Sequence, residues 1–298
     1  MLRRTLYFGN PTKLRLENKQ LIIRLEEEEV RQVPVEDIGY VIFDHAQITV
    51  SHSLIQALLK NNVALLWCDE KHMPESLMLS HESNHLFSKK LKAQLEVSVP
   101  FKKQLWKQTI EAKITNQANL IRWLGGNCAS LLECRRKVQS GDSGNQEAVA
   151  SGIYWNELFG SQASFRRHRF GAPPNHLLNY GYAVLRAVVA RSLTTAGCFT
   201  SFGIFHRNQY NPHCLADDIM EPYRPFVDKT VIEWMEEKGS TMSDRLDKED
   251  KRVLLSIPAM DVNIGGVISP LMAASDKTAQ TLMKCYESEI KKITYPVL

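Results

Sequence analysis

Several features that would announce a function are missing from this sequence. The six cysteines (Cys68, Cys128, Cys134, Cys198, Cys214, Cys285) are scattered without a Cys-x-x-Cys pair. That spacing counts against a disulfide framework or a zinc module and fits reduced thiols. No uninterrupted apolar run exceeds Val63-Ala-Leu-Leu-Trp-Cys68, far short of the ~18 residues of a membrane span. The N-terminus has Arg3 and Arg4 but no long apolar segment, so no secretory signal and a cytoplasmic location are expected. Glycine-rich phosphate loops, histidine-rich clusters, internal repeats and low-complexity tracts are also lacking. Charge of either sign is in small excess: 37 Lys and Arg against 33 Asp and Glu in 298 residues leave +4 with histidines neutral. That total points to no particular partner. Charged residues at 23% and hydrophobic ones at 44% are ordinary for a globular chain and exclude a wholly disordered one.

What is present falls into two halves. Up to about residue 79 the pattern is β-rich. Leu14 to Leu16 and Gln20 to Leu25 flank the polar Glu17-Asn18-Lys19 and predict a hairpin. Short runs at Val30 to Val35, Ile38 to Phe43 and Ile48 to Val50 follow. Ser51 is placed to cap a helix to Lys60 with a Leu54, Ala57, Leu58 stripe, and Val63 to Cys68 is a buried strand. From about residue 84 the period becomes helical: Ser88 to Leu124 with a restart at Pro100, then Glu147 to Phe159, Asn175 to Ala196, Phe226 to Gly239 and Lys277 to Ile293. The expected fold is α+β, a small β-sheet domain (1–79) before a larger all-α domain (80–298).

The distribution of charge says more than its sum. Between Lys89 and Lys137 there are eleven basic residues against three acids, a local +8, interleaved with Trp106 and Trp123. A second cluster is Arg166-Arg167-His168-Arg169. Such patches suit a phosphate backbone, where affinity comes largely from counterion release. The plainer alternative is a long solvated helix face.

Three segments carry candidate chemistry. Glu147 opens a predicted helix capped by Ser143 or Asn145, with Ser151 and Tyr154 on its face; the plain alternative is an acid favourable to the helix dipole. His206 follows the apolar run Phe202-Gly-Ile-Phe and precedes Arg207-Asn208; alone, such a residue is more often a core-edge histidine. Asp218 and Glu221, in Leu215-Ala-Asp-Asp-Ile-Met-Glu-Pro-Tyr-Arg-Pro225, read either as a capping box or as an acid pair for a divalent cation. Carboxylates with one imidazole suit Mg²⁺ or Mn²⁺, and with the basic clusters they suggest metal-assisted phosphodiester chemistry.

Glu-Ala-x-Ala-Ser-Gly-x-Tyr-Trp at 147–155, Asn-His-Leu-Leu-Asn-Tyr-Gly-Tyr-Ala-Val-Leu-Arg at 175–186, Gly-Ile-Phe-His-Arg-Asn at 203–208 and the 215–225 segment together resemble the CRISPR-associated integrase, the adaptation nuclease of CRISPR immunity. The order and spacing match over essentially the whole chain, and the Asn-Tyr-Gly-Tyr and Met-Glu-Pro forms are most similar to members from type II systems. The resemblance implies that Glu147, His206 and Glu221 are catalytic and hold Mg²⁺ or Mn²⁺, with Asp218 a possible additional acid; Asp217, Cys214 and His213 fall outside the pattern. It implies spacer DNA insertion into a CRISPR array by 3′-hydroxyl attack on a phosphodiester, on double-stranded and branched DNA. It further implies a homodimer through the β domain, a heterohexamer with a small ferredoxin-like adaptation partner, and help from the type II RNA-guided effector nuclease. Arg166, Arg167, Arg169, Lys102, Lys103 and Arg207, with the rest of the Lys89 to Lys113 stretch, are the expected DNA contacts. The alternatives are a non-catalytic DNA-binding scaffold and a metal hydrolase of small phosphoesters.

Overall fold

The computed structural model describes residues 4–24, 30–80, 84–160, 165–168, 171–239 and 245–298. The chain divides into two compact units, Met1–His85 and Leu86–Leu298. The division falls just ahead of the first helix of the second unit, whereas the expected boundary lay directly behind the last strand of the first.

The first unit contains β1 (Arg4–Phe8), β2 (Thr12–Glu17), β3 (Gln20–Arg24), β4 (Val30–Pro34), β5 (Ile38–Phe43), β6 (Ile48–Val50), α1 (His52–Lys60), β7 (Ala64–Cys68) and β8 (Pro74–Met78). One sheet has the order β1-β5-β7-β8, the other β4-β3-β2-β6. In the first, β5 is flanked by parallel β1 and β7 and is buried at every position, which is why Ile38-Gly-Tyr-Val-Ile-Phe43 reads as a continuous apolar run. The β2–β3 hairpin turns at Asn18 and Lys19, both with positive φ (47° and 61°), the backbone demanded by a two-residue turn that follows strand twist. Ser51 caps α1, its Oγ accepting from the Leu54 amide at 3.3 Å. Leu14 and Leu21 of the hairpin, Ile38, Val41 and Leu65 of the other sheet, and Leu54 and Leu58 of α1 share one core.

The second unit contains α2 (Phe87–Glu96), α3 (Val99–Trp123), α4 (Ala129–Lys137), α5 (Gln146–Phe159), α6 (Asn175–Ala196), α7 (Cys214–Met220), α8 (Arg224–Lys238), α9 (Lys248–Leu254), β9 (Asp261–Ile264), β10 (Val267–Pro270), α10 (Leu271–Tyr286) and β11 (Pro296–Val297). The expected order of a β-sheet unit followed by a mainly helical one is what the fold shows. The helical unit also carries a small sheet, β10-β9-β11, whose hairpin turns on Gly265-Gly266 with φ of 61° and 79°. The break between α2 and α3 falls at Val97-Ser98, with Ser98 capping α3 and Pro100 in its first turn, where its missing N–H costs nothing. The last helix runs six residues earlier than the expected Lys277 start: it begins after Pro270 and ends before Ser288, which has a φ of 62°.

Two central helices organise this unit. In α3, Trp106, Ile110, Lys113, Ile114, Gln117 and Ile121 are buried, tracing one face at three- and four-residue steps. In α6 most positions are buried, so no polar face marks it as amphipathic. A Cβ at Gly181 would stand 2.5 Å from Val227 Cγ1 of α8; glycine lets the two helices approach this closely. Gly181→Ala should lower stability by about 1–3 kcal/mol through overpacking. The double change Gly181→Ala/Val227→Ala should recover part of the loss in denaturant unfolding. Equal stability of Gly181→Ala and the wild type would show that α8 can yield.

Candidate active site

The site is built on four elements of the helical unit, and a buried lysine joins two of them. Lys113, on the inward face of α3, has its Nζ on Glu147 Oε1 of α5 and 2.6 Å from Glu221 Oε2. Glu221 lies in the single 3₁₀ turn Glu221–Tyr223 between α7 and α8. Its other oxygen, Oε1, accepts from Arg224 Nε at 2.9 Å. The turn is pinned to α3 by Asn116, whose Nδ2 donates to Pro222 O at 2.7 Å. Burial alone would raise the Glu221 pKa, but Arg224 and then Lys113 outweigh it and hold it at about 2. Burial would likewise pull Lys113 down; Glu221 and Glu147 leave it raised. The Lys113 ammonium and the Glu221 carboxylate are charged together.

Glu147 is aimed by a neighbour the sequence did not single out. Asp142 caps α5, its Oδ1 accepting from the Gln146 amide and its Oδ2 from the Glu147 amide, each at 2.9 Å. Asn145 occupies the cap position without a side-chain bond, so neither expected cap residue does the capping. With Asp142 serving the helix N-terminus, the Glu147 carboxylate meets Lys113 and accepts from Ser151 Oγ at 3.3 Å.

His206 is held by Asp218. This acid is fully buried and does not open a capping box with Glu221. Its Oδ2 accepts the amides of Ile204 and Phe205 at 2.6 and 2.9 Å, and its Oδ1 accepts the His206 amide at 3.2 Å. His206 Nδ1 lies 2.5 Å from the same Oδ1. Three consecutive amides can wrap one carboxylate only if the chain passes very close to it. A Cβ at Gly203 would sit 2.5 Å from His206 O and 2.7 Å from Asp218 Oδ2, so the glycine of the Gly-Ile-Phe-His motif is a steric requirement. Because Asp218 is an acceptor, Nδ1 carries its proton, and the neutral ring presents Nε2 as a lone pair. The hydrogen bond to Asp218 raises the His206 pKa, against burial. Trp106 braces the ring edge-on at 5.9 Å and stacks on Phe205 at 4.4 Å.

Two carboxylate oxygens converging on one ammonium, with an imidazole whose second nitrogen is freed by a carboxylate behind it, form a donor set that Mg²⁺ or Mn²⁺ takes. Among the described residues, however, no group of three or more His, Cys, Asp and Glu side chains is close enough to share an ion; Lys113 stands between the two glutamates. By chemistry the residues fit a divalent cation; by position, with Lys113 between the glutamates, they stand as an ion pair.

The expected DNA contacts are dispersed. Lys102 and Arg207 flank His206 in a cleft of about 540 Å³ that also exposes Phe202, Asn208 and Tyr210, while Lys103 and Arg166 are exposed elsewhere in the unit. Arg167 turns into the fold, donating to Asn175 Oδ1 and Asn179 Oδ1 at 2.8 Å each and lying 5.1 Å over the Tyr182 ring. Arg169 lies outside the described residues. Lys113, counted in the basic stretch, is buried, because the face of α3 that carries it is the face that packs. Lys90 donates to Ala196 O at 2.8 Å, and Lys92, Lys107 and Lys137 pair with Glu96, Glu111 and Glu133 along their own helices. Asp217 pairs with Arg186 at 2.7 Å.

Comparison with known proteins places the chain in a family. The model of the family described as CRISPR associated protein Cas1 matches residues 6–264. The chain belongs to the Cas1 family. It is 41% identical over 239 residues to the CRISPR-associated endonuclease Cas1 of Neisseria meningitidis serogroup C (strain 8013), covering 80% of this chain and 77% of that one. A second Cas1 relative, from Pyrobaculum aerophilum, is 27% identical over 233 residues, 74% of this chain and 78% of that one. Among solved structures, a casposase bound to integration product has a TM-score of 0.79 at 22% identity, over 98% of this chain and 92% of that one. A Cas1 protein from Thermotoga maritima has a TM-score of 0.75 at 14% identity, over 95% and 97%. These two show the fold shared across Cas1 proteins and a casposase.

Behind the candidate site of this Cas1 family member lies Asp228, buried and accepting from Tyr154 OH at 2.6 Å and Tyr182 OH at 2.5 Å, with Arg224 over the Tyr182 ring at 4.5 Å. Burial pushes its pKa up to about 6 despite those two hydrogen bonds. A carboxyl raised in the folded state binds protons there that the unfolded chain has lost, so its ionisation costs stability as pH rises from about 4 to above 6. Asp228→Asn should lack that loss. The stability of the variant relative to wild type should rise by roughly 2–3 kcal/mol between pH 4 and pH 8, measured by urea unfolding at each pH. A flat difference would show that the carboxyl titrates normally.

Proposed function

We propose that this chain is a metal-dependent DNA endonuclease and integrase of CRISPR adaptation, joining spacer DNA to the CRISPR array by transesterification. The observation that carries this reading is the convergence of Glu147 and Glu221 on one cationic point, in a chain whose relatives are named CRISPR-associated endonucleases. Mg²⁺ or Mn²⁺, held by Glu147, Glu221 and His206 Nε2, would supply neutralisation of phosphate charge and polarisation of the attacking hydroxyl. The reaction conserves its bonds. A 3′-hydroxyl oxygen forms a new ester to phosphorus, the old P–O bond breaks, and its oxygen leaves as a hydroxyl, so neither ATP nor a covalent enzyme intermediate is needed.

The chain's own residues prepare for this. Arg224 fixes one oxygen of Glu221 and keeps the acid charged. Asp218 orients His206 and fixes its tautomer. Lys102 and Arg207, beside His206 in the cleft, are placed to hold DNA backbone. Exposed Lys103 and Arg166 extend that role. A small ferredoxin-like partner is supported by the likeness of this fold to chains of solved complexes named Cas6-RT-Cas1–Cas2; a heterohexamer built from homodimers of the β unit, and a type II effector nuclease as a further partner, belong to the proposal. The competing reading, a non-catalytic DNA-binding scaffold, draws on the Lys113 bridge, which closes the acids into an ion pair.

A supercoiled-plasmid integration assay with Mn²⁺ and a 3′-hydroxyl oligonucleotide, with and without the small partner, separates the two. Glu147→Gln, Glu221→Gln and His206→Ala should each cut strand transfer by more than about a hundredfold while thermal unfolding stays cooperative. Full integration by any of the three, or none by the wild type with its partner, favours the scaffold. DNA binding should weaken with salt, and with Lys102→Ala/Arg207→Ala; salt-insensitive binding would remove the backbone contacts from that cleft.

A further inference from the structure

Within the basic stretch of residues 89–137, Lys113 differs from every other basic residue in being buried. Its ammonium sits on Oε1 of Glu147 and on Oε2 of Glu221, while Arg224 takes the remaining oxygen of Glu221. On Glu221 the oxygen that Lys113 holds is therefore the one left for a divalent cation between the glutamates, and on Glu147 it is the one turned toward that point. An ammonium brings one charge and hydrogen-bond distances of about 2.7–2.9 Å. Mg²⁺ brings two charges and draws oxygens to about 2.0–2.1 Å. The two cannot occupy the same point.

We infer that Lys113 is a placeholder for the cation: it keeps Glu147 and Glu221 facing one another in the metal-free chain, and the metal binds by displacing its ammonium. The inference rests on the metal-dependent reading above and adds a residue that opposes loading. Lys113 reaches its point on a flexible four-carbon stem from α3, whose backbone is fixed by the packing of Ile110, Ile114 and Gln117, so the ammonium can withdraw while the helix stays. Antagonism follows by linkage, since each cation weakens the hold of the other. Removing Lys113 leaves the buried carboxylate of Glu221 opposed to the part-exposed one of Glu147, which destabilises the metal-free chain and strengthens its demand for a divalent ion. A lysine that served only the fold would produce the first effect without the second.

The test is a Mn²⁺ titration of the full chain, with free Mn²⁺ read by electron paramagnetic resonance and melting temperature read in parallel, for wild type, K113M, K113R and E221Q. K113M should melt lower than wild type without metal, bind Mn²⁺ at least about fivefold more tightly, and recover its melting temperature on saturation. K113R, which keeps the charge, should bind Mn²⁺ no more tightly than wild type. Equal or weaker Mn²⁺ binding by K113M, a K113M chain that Mn²⁺ does not restore, or tightening by K113R equal to that of K113M overturns the placeholder. Mn²⁺ binding to wild type that E221Q leaves unchanged overturns the metal reading itself, because the ion then binds elsewhere.

Discussion

A lysine cannot be buried with its charge unless anions are buried with it, and much of the helical unit follows from that constraint. Removing one partner from a buried ion pair typically costs about 3–5 kcal/mol, so Lys113 ties α3, α5 and the turn at Glu221 into one arrangement. Each tie is reinforced by a second contact. Asp142 fixes the start of α5, Asn116 grips the backbone at Pro222, and Arg224 closes the outer side of Glu221. These contacts fix where the two acids stand, and orientation is what a protein supplies to any group that its carboxylates bind.

The polar interior behind the site extends the same logic. Tyr154 and Tyr182 satisfy Asp228, Arg224 and Arg167 lie over Tyr182, and Arg167 is anchored by Asn175 and Asn179. Residues of the Asn-Tyr-Gly-Tyr segment thus reach toward Glu221 through stacked rings and guanidinium groups. Buried polar groups of this kind are expensive unless each finds a partner, which binds α5, α6 and α8 to a single packing. Gly181 belongs to the same requirement, since α8 carries both Asp228 and the Val227 that packs against it.

Where local chemistry decides structure, the sequence was legible. The run of β5, the alternation in β2, the polar turn at Asn18-Lys19, the Ser51 cap and the bounds of α6 all follow from side-chain period, turn residues or capping. The β9–β10 hairpin was within reach, because Gly265-Gly266 between two short β-branched segments is a turn signal, but a helical reading of the second half passes over it. Both ends of the last helix were misplaced, for a different reason. Pro270 and Ser288 set its ends, while Glu287 to Lys292, polar and helix-compatible by composition, lies beyond the point where the backbone turns.

The sequence by itself determined the family, the order of a sheet unit before a helical one, and the identities of Glu147, His206 and Glu221 as candidates, because these depend on residue type and order along the chain. Only the tertiary structure decided what surrounds them. Lys113 was one lysine of a basic stretch until helix packing buried it, although its place three residues after Ile110 and four before Gln117 on the inward face of α3 was the available signal. Arg167 left the set of free cations because Asn175 and Asn179 lie across from it. Asp218 became the support of His206, with no capping role, because Gly203 lets a loop fold over it. Charge and hydrogen-bonding capacity are written in the sequence, but whether a group meets solvent, an opposite charge or a backbone amide depends on residues distant in the chain. That dependence is long-range, and folding settles it.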